Sequence, residues 1–348
     1  MTTPLLVALG AALDARSSLL PGPDDHAALR LFHGFLEGFP SLSVELFGRT
    51  LVLHDHGKRG GSEDHARAAL ALVRERLPWV SSALWKIHTS RDAEERKGRL
   101  LLGEADALAD RVREGGAWYA LDLRLNQDAS FYLDTRGLRG WLLREARGKA
   151  VLNTFAYTGS LGVAALVGGA SRVVQVDRSR AFLDVAVRSC KLNGLEAPRG
   201  SLIAADFFEH VGRLKKQDEL FDVVIVDPPF FSETAQGRVD LVGEAHRVLN
   251  KARPLVGDGG VLIAVNNALF LPGAAYHRML EELGASGYLR IESLLEVPPD
   301  CTGFPGTTRG SPPSDPSPFN HTTKVAVLRV RRKDGRRASL PLPNCSIS

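Results

Sequence analysis

Three aspartates each close an apolar run: Asp177 after Val173-Val174-Gln175-Val176, Asp206 after Leu202-Ile203-Ala204-Ala205, and Asp227 after Val223-Val224-Ile225-Val226. A carboxylate offers two acceptor oxygens, and at the carboxyl end of a parallel strand it can take both hydroxyls of a ribose. Asp177 is placed for that task. Asp206 is placed to receive an exocyclic amine such as that of adenine, with Phe207 or Phe208 to pack on the ring. Asp227 opens Asp227-Pro228-Pro229-Phe230, where the carboxylate and the Pro228 carbonyl can accept from a planar amine while Phe230 stacks on it. Each acid could equally be the N-cap of the following helix. Three at successive strand ends favour a ligand site.

The elements that must position them are βαβ units. Ala150 to Asn153 is a short apolar strand, and Thr154 to Ser160 is a tight turn in which Gly159 can take positive φ or admit a ligand to the backbone. Ser160 can cap a helix that ends at Gly168-Gly169. Asp177 then falls about 20 residues past the turn, the nucleotide-binding spacing. The turn lacks three spaced glycines, which suits a cofactor with no pyrophosphate to cradle. A helix over 179–192, a strand over 261–267, a helix over 274–284 and strands over 288–297 and 323–330 complete the pattern.

The N-terminal third reads as α+β: a helix over 4–20, a second over 25–36, a hairpin over 42–54 split by Gly48-Arg49, a helix over 64–76, and strands at 117–122 and 131–136. A helix over 138–147 ends at Gly148 and leads into the central strand. The charged run 91–99 mixes signs and reads as a solvated loop. The Pro-, Gly- and Ser-rich stretch 298–322, with Asp300, Arg309, Asp315 and His321, reads as a lid on the acceptor side. The basic residues 329–337 could touch phosphate or form a solvated edge.

Composition bounds the class. The 348 residues are 44% hydrophobic and 24% charged, enough for two ordinary cores. A net charge of +4 permits a polyanionic partner without requiring one. Cys190, Cys301 and Cys345 lack CxxC spacing, which argues against disulfides and structural zinc and for a reducing, cytoplasmic setting. No apolar run approaches membrane length. His54 and His56 share a strand face, but no third ligand follows at a recognisable spacing, so no metal is expected.

Taken in order, Thr154-Phe155-Ala156-Tyr157-Thr158-Gly159, Asp177, Asp206 and Asp227-Pro228-Pro229-Phe230-Phe231 resemble a class I S-adenosylmethionine-dependent methyltransferase. More narrowly they resemble the bacterial large-subunit ribosomal RNA methyltransferase family, whose members modify cytosine C5 or guanine. The likeness runs from about Pro40 through Tyr132-Leu133-Asp134-Thr135-Arg136 to Val330. It implies a Rossmann-like α/β sheet, mostly parallel with an antiparallel last strand, over 116–335. A smaller α+β domain over 1–115, with a possible RNA-binding role, would precede it, and a disordered tail over 336–348 would follow. It implies that Asn153 to Gly159, among them Phe155, Tyr157 and Thr158, hold the methionine end of S-adenosylmethionine. Asp177 with Arg178 would hold the ribose, Asp206 with Phe207 the adenine, and Asp134 and Arg136 would lie on the cofactor side. The acceptor would meet Asp227, Pro228, Pro229 and Phe230, with Phe231, Asn266 and Asn267 nearby.

The methylated atom follows from what is missing. Carbon-5 of a pyrimidine needs a cysteine thiolate to activate the ring. Neither the segment after Asp227 nor Val261–Asn267 holds a cysteine, and Cys301 is the remaining candidate. A nitrogen acceptor needs no thiolate, and Asn266-Asn267 resembles the pair of the guanine-methylating branch. The expected activity is methylation of a guanine nitrogen in ribosomal RNA. Cytosine-C5 methylation and a small-molecule or protein-amide acceptor are the alternatives, and a noncatalytic binding module is a third.

Overall fold

A computed structural model describes residues 4–58, 61–197 and 200–338; Cys345 and all but the first residues of the expected tail lie outside them. The chain forms two compact units, one of residues 1–136 and 297–312, the other of residues 137–296 and 313–348. The division thus falls after Arg136, past the expected join at 115, because the ribbon at 111–120 and the Arg136 side chain belong to the first unit.

The first unit has helix α1 (Pro4–Ala15), strand β1 (Ala28–Phe32), the short helix α2 (Gly34–Glu37), strands β2 (Leu42–Phe47) and β3 (Thr50–Asp55), and helix α3 (Glu63–Arg76). Strand β4 (Ser82–Ile87), the helical turn α4 (Ala93–Lys97), and strands β5 (Arg99–Leu102), β6 (Arg111–Glu114) and β7 (Ala117–Ala120) follow. Strands β1 to β5 make one sheet in sequential order, while β6 and β7 form a separate antiparallel ribbon. Leu29, Leu31, Val44, Leu46, Leu51 and Leu53 alternate onto one sheet face and pack with Leu5, Leu9, Ala66 and Val73 of α1 and α3.

Two expectations fail here. Residues 28–32 form an edge strand where a helix was expected, because Leu29 and Leu31 enter the core while Arg30 reaches Glu45 across β2 at 2.7 Å. Residues 131–135 form turns rather than a strand, in a stretch where Asn126 and Asp128 cap their own backbone two residues on. The charged run around α4 is indeed solvated and self-paired, as in Lys97–Glu94 and Arg99–Glu95.

The other sheet face is polar yet covered. Glu45 Oε2 lies 3.2 Å from His54 Nε2, His54 Nδ1 lies 3.0 Å from His88 Nε2, and the His56 ring stacks on His88. Burial, then the neighbouring His54 and His56, push His88 from 6.5 down to about 3. Its folded pKa is depressed, so its contribution to stability is complete above pH 6.5 and is lost as pH falls toward 3. His88→Gln should therefore flatten the acid limb of a denaturation-versus-pH series by about 2 kcal/mol, discounted for its partial exposure. An unchanged slope between wild type and variant would refute the assignment. No group of three or more His, Cys, Asp or Glu among the described residues is placed to hold a metal ion.

The second unit is built on helix α5 (Arg136–Glu145, whose first residue belongs to the first unit), β8 (Ala150–Thr154), α6 (Ser160–Val167), β9 (Arg172–Asp177), α7 (Arg180–Leu192), β10 (Leu202–Ala204) and α8 (Phe207–Lys216). It continues through β11 (Phe221–Val226), the hairpin β12 (Phe231–Thr234) and β13 (Gly237–Asp240), α9 (Ala245–Ala252), β14 (Val256–Asn266), α10 (Gly273–Gly284), β15 (Leu289–Leu295) and β16 (Lys324–Val330). The seven-stranded sheet runs β10-β9-β8-β11-β14-β16-β15. Strands β8 to β11 and β14 pair in parallel, and β16 is antiparallel to both its neighbours. Strand order reverses between β8 and β11, the switch point at which such sheets hold ligands outside their carboxyl ends. Strand β8 is buried throughout and β11 at every position but Asp222, which is why Ala150–Leu152 and Val223–Val226 read as apolar runs.

The expected lid resolves differently. Residues 297–312 belong to the first unit, where the turn Pro299–Thr302 puts Asp300 and Cys301 in its interior. Arg309 and Gly310 donate backbone N–H bonds to the Leu36 carbonyl. Within 297–312 the stretch is further tied by the buried Arg16–Asp300 and Thr307–Glu37 contacts, while 313–322 belongs to the second unit.

Candidate active site

At the carboxyl edge of the second unit's sheet, four segments follow successive strands: 155–159 after β8, 177–179 after β9, 205–206 after β10 and 227–230 after β11. Register places them level. Thr154 pairs with both Val176 and Val226, and Asp177 pairs with Ala204. Thr154 Oγ1 donates to the Ile225 carbonyl at 2.6 Å and ties β8 to β11 at the switch point.

The turn after β8 is held in an unusual backbone. Phe155, Tyr157 and Gly159 all have positive φ, at 54°, 52° and 76°. Glycine takes that region freely, whereas Phe and Tyr incur strain that the surroundings must offset. The Ala156 N–H donates to the Val176 carbonyl, the Tyr157 N–H to Asp177 Oδ2 at 2.7 Å, and Phe155 stacks on Phe207 at 4.5 Å. A Cβ on Gly159 would collide with Ala186 Cβ and with Gln175. Gly159, not Ser160, is the N-cap residue of α6, and no side chain caps that end. Its first N–H groups and the positive end of the helix dipole are left for water or a ligand.

Asp177 accepts from Tyr157 through one oxygen and from the Ser179 N–H through the other at 2.8 Å. Burial raises its pKa, and the hydrogen bonds from Ser179 and Tyr157 oppose the rise. The Arg178 N–H also bears on this carboxylate, which has acceptor capacity beyond these three bonds. Asp206 caps α8, with Oδ1 accepting from the Phe208 N–H at 2.8 Å, and its second oxygen stays available for an amine. Asp206 is thus the N-cap of α8, whereas α7 is capped by Ser179 and Asp177 instead braces the two turns around it. Arg178 is exposed beside Asp177, Thr158 is buried in the turn, and Phe207 is a core residue 3% exposed that reaches the rim only through its stack with Phe155.

Several expected contact residues are tied into the fold. Asn153 is fully buried beneath the turn with Nδ2 on Gln175 Oε1 at 3.2 Å, and its Oδ1 has no protein partner. Asn266 is also fully buried. It donates to the Leu241 carbonyl and accepts from the Ala268 N–H, which occupies both ends of its amide in holding loops together. Asn267 carries the buried Oδ1 that lacks a partner. Asp134 and Arg136 lie in the first unit, where Arg136 forks onto Asp300 at 2.7 and 3.2 Å and also meets Glu114 and the Ala28 carbonyl. Those donors are committed to the fold.

After β11, Asp227 is half-buried while Phe230 and Phe231 are about half exposed, at 50% and 52%. The Asp227 charge adds to burial in raising the pKa of Tyr276 on α10, which sets that hydroxyl within electrostatic reach of the acid. Lys324, fully buried at the start of β16, donates to the carbonyls of Ala268 and Thr322, and burial lowers its pKa to about 8. Its one sequence signal was a lysine opening an apolar strand. Both described cysteines are buried. Burial pushes Cys190 up to about 11 and raises Cys301 as well, the latter packed in the first unit beside Arg30, Asp300 and Asp134.

A doubly wound sheet with acids at successive strand ends and a glycine turn without a pyrophosphate cradle defines an α/β enzyme for a nucleoside cofactor. The family model of S-adenosylmethionine-dependent methyltransferases matches residues 67–306, more than half of the chain, and the chain belongs to that family. It is a methyltransferase, and its cofactor is S-adenosylmethionine. It is 27% identical over 274 residues to ribosomal RNA large subunit methyltransferase I of Erwinia tasmaniensis, covering 77% of this chain and 68% of that one. The corresponding Serratia proteamaculans protein is 28% identical, over 73% of this chain and 64% of its own length, so the chain spans about two thirds of these relatives. Among solved structures, SMU.776, crystallised as a complex with SAH, superposes with a TM-score of 0.79 at 20% identity, covering 95% of this chain and 83% of that one. That last likeness concerns the fold.

Proposed function

We propose that the protein methylates a nitrogen of a guanine in ribosomal RNA. The observation that carries this reading is the pairing of Asp227-Pro228-Pro229-Phe230 at the switch point with two described cysteines that are buried and hard to ionise. Attack by a pyrimidine C5 requires a thiolate adduct at C6, and a thiol with a raised pKa in a packed interior cannot supply one. A nitrogen attacks through its own lone pair.

When bound, S-adenosylmethionine supplies an electrophilic methyl on a sulfonium. Asp177 and Asp206 would hold its ribose and adenine, and the turn from Phe155 to Gly159 its amino-acid end. The Asp227 carboxylate and Pro228 carbonyl accept N–H bonds from the acceptor, which aims the nitrogen lone pair away from them, while Phe230 stacks on the extruded base. As the nitrogen–carbon bond forms and the sulfur–carbon bond breaks, an acceptor that carries an N–H releases its proton toward Asp227 or water. The names of the relatives favour ribosomal RNA over a small molecule or a protein amide. The test is mass spectrometry of ribosomal RNA nucleosides from a deletion strain: loss of one methylated guanine is expected. Loss of a 5-methylcytosine would refute the nitrogen assignment, and an unchanged set would refute the RNA assignment.

A further inference from the structure

The ribbon of β6 and β7 turns at Gly115-Gly116, both at positive φ, and its two faces differ sharply. Val112 and Tyr119, paired across the strands, are buried at 0% and 1%. Arg111 and Arg113, two residues apart, share the opposite face with Trp118, the cross-strand partner of Arg113. The two guanidinium carbons lie 5.7 and 5.6 Å from the Trp118 ring centroid, and His26 meets the same ring edge-on at 5.2 Å. The adjacent β2–β3 turn brings a further cation: Gly48 packs against Ala109 and the Arg111 carbonyl, and Arg49 follows it, exposed. Among the described residues neither Arg49 nor Arg113 has a carboxylate partner, and Arg111 has only Asp110 at 3.8 Å.

Elsewhere on the unit's surface Arg67, Arg76, Lys97 and Arg99 are each paired with acids, and Arg74, Arg91 and Arg309, without an acid partner among the described residues, have no aromatic ring against them. Exposed arginines spaced along a strand, with one long ion pair at Arg111 among them, can each take a phosphate. An indole between them offers a face on which an unpaired base can stack whatever its sequence.

We propose that Arg49, Arg111, Arg113 and Trp118 form a grip for single-stranded RNA on the first unit, in which the guanidiniums bind backbone phosphates and the indole stacks on one unpaired base. The proposal rests on the RNA reading above and assigns a binding surface separate from the acceptor site. It involves no chemistry and reads no sequence, so it sets affinity and leaves the choice of methylated atom to the rim of the other unit.

The test uses the full chain and a short fluorescein-labelled single-stranded RNA, with anisotropy measured over a series of salt concentrations. Arg111→Glu with Arg113→Glu is expected to weaken binding by at least ~10-fold at low salt, and the milder Arg111→Gln with Arg113→Gln to reduce the log–log salt slope by about 1.4. Trp118→Ala should weaken binding by ~5- to 100-fold with the slope retained, and Trp118→Phe should restore most of it. Unaltered calorimetric affinity for S-adenosylmethionine checks that each variant is folded. Wild-type binding that none of the variants changes would overturn the grip and leave the RNA reading standing. A wild type that binds no RNA would overturn both. Displacement of the RNA by poly-aspartate as readily as by unlabelled RNA would also overturn it, in favour of an acidic protein partner.

Discussion

Asp227→Ala is expected to lower kcat for methyl transfer by about 10³-fold while leaving the dissociation constant for S-adenosylmethionine unchanged. The residue follows β11 directly, level with the turn after β8, and in the proposed reading its carboxylate receives the acceptor. Removing it leaves Asp177 and Asp206, the proposed holders of the cofactor, in place. Asp177→Ala should do the reverse, weakening the cofactor by about 10- to 100-fold, since hydrogen bonds to a charged group are worth about 1.5–3 kcal/mol each. Part of that loss would come from the turn, because the Tyr157 and Ser179 N–H groups lose their acceptor. Asp177→Asn keeps one acceptor oxygen and should retain more affinity than Asp177→Ala. Calorimetry together with single-turnover transfer separates the two acids. If both alanine variants weakened the cofactor alike, the division of roles between the strand ends would be wrong.

The cofactor edge was legible because its signals are local. Val173–Val176 and Val223–Val226 read as buried strands with an acid after each, and Gly159 fell where a positive φ was needed. The strained backbone at Phe155 and Tyr157 was not legible, since aromatic residues rarely adopt that region and their side chains give no sign of it. Asn266 misled for a related reason: an amide at a strand end looks like a ligand-reading group until the Leu241 carbonyl, 25 residues away, is seen to claim it. The larger misreadings share one cause. Residues 25–36 carry apolar positions compatible with either period, and the choice of a strand at β1 was made by Glu45, outside any local window. The composition of 298–322 marked a loop correctly, but that Asp300 forks onto Arg136, 164 positions earlier, is written in the partner. Long-range polar pairing decided what periodicity left open.

The largest effect on stability is expected at Glu37. Its carboxylate takes a two-pronged contact from Arg16, at 2.8 and 3.0 Å, and also accepts from Thr307 Oγ1 and the His33 N–H. Both charged side chains are fully buried. Arg16 spends its remaining donors on the carbonyls of Ala12, Arg30 and Asp300, so the pair fastens α1, β1 and the 297–312 segment within one unit. Guanidinium does not deprotonate, so Glu37→Ala strands a buried cation and should cost about 3–5 kcal/mol. Replacing both partners by apolar residues, Arg16→Met with Glu37→Leu, removes the charge along with its counter-ion and should cost far less than Glu37→Ala alone. Urea denaturation followed by tryptophan fluorescence suits the measurement, because Trp79, Trp85 and Trp118 lie in the first unit and Trp141 alone in the second. The transition reported by the first unit's tryptophans should move to lower urea in Glu37→Ala and return toward wild type in the double variant. A Glu37→Ala curve within about 1 kcal/mol of wild type would mean that water reaches Arg16 and that the 297–312 segment is held by its backbone bonds to Leu36 instead.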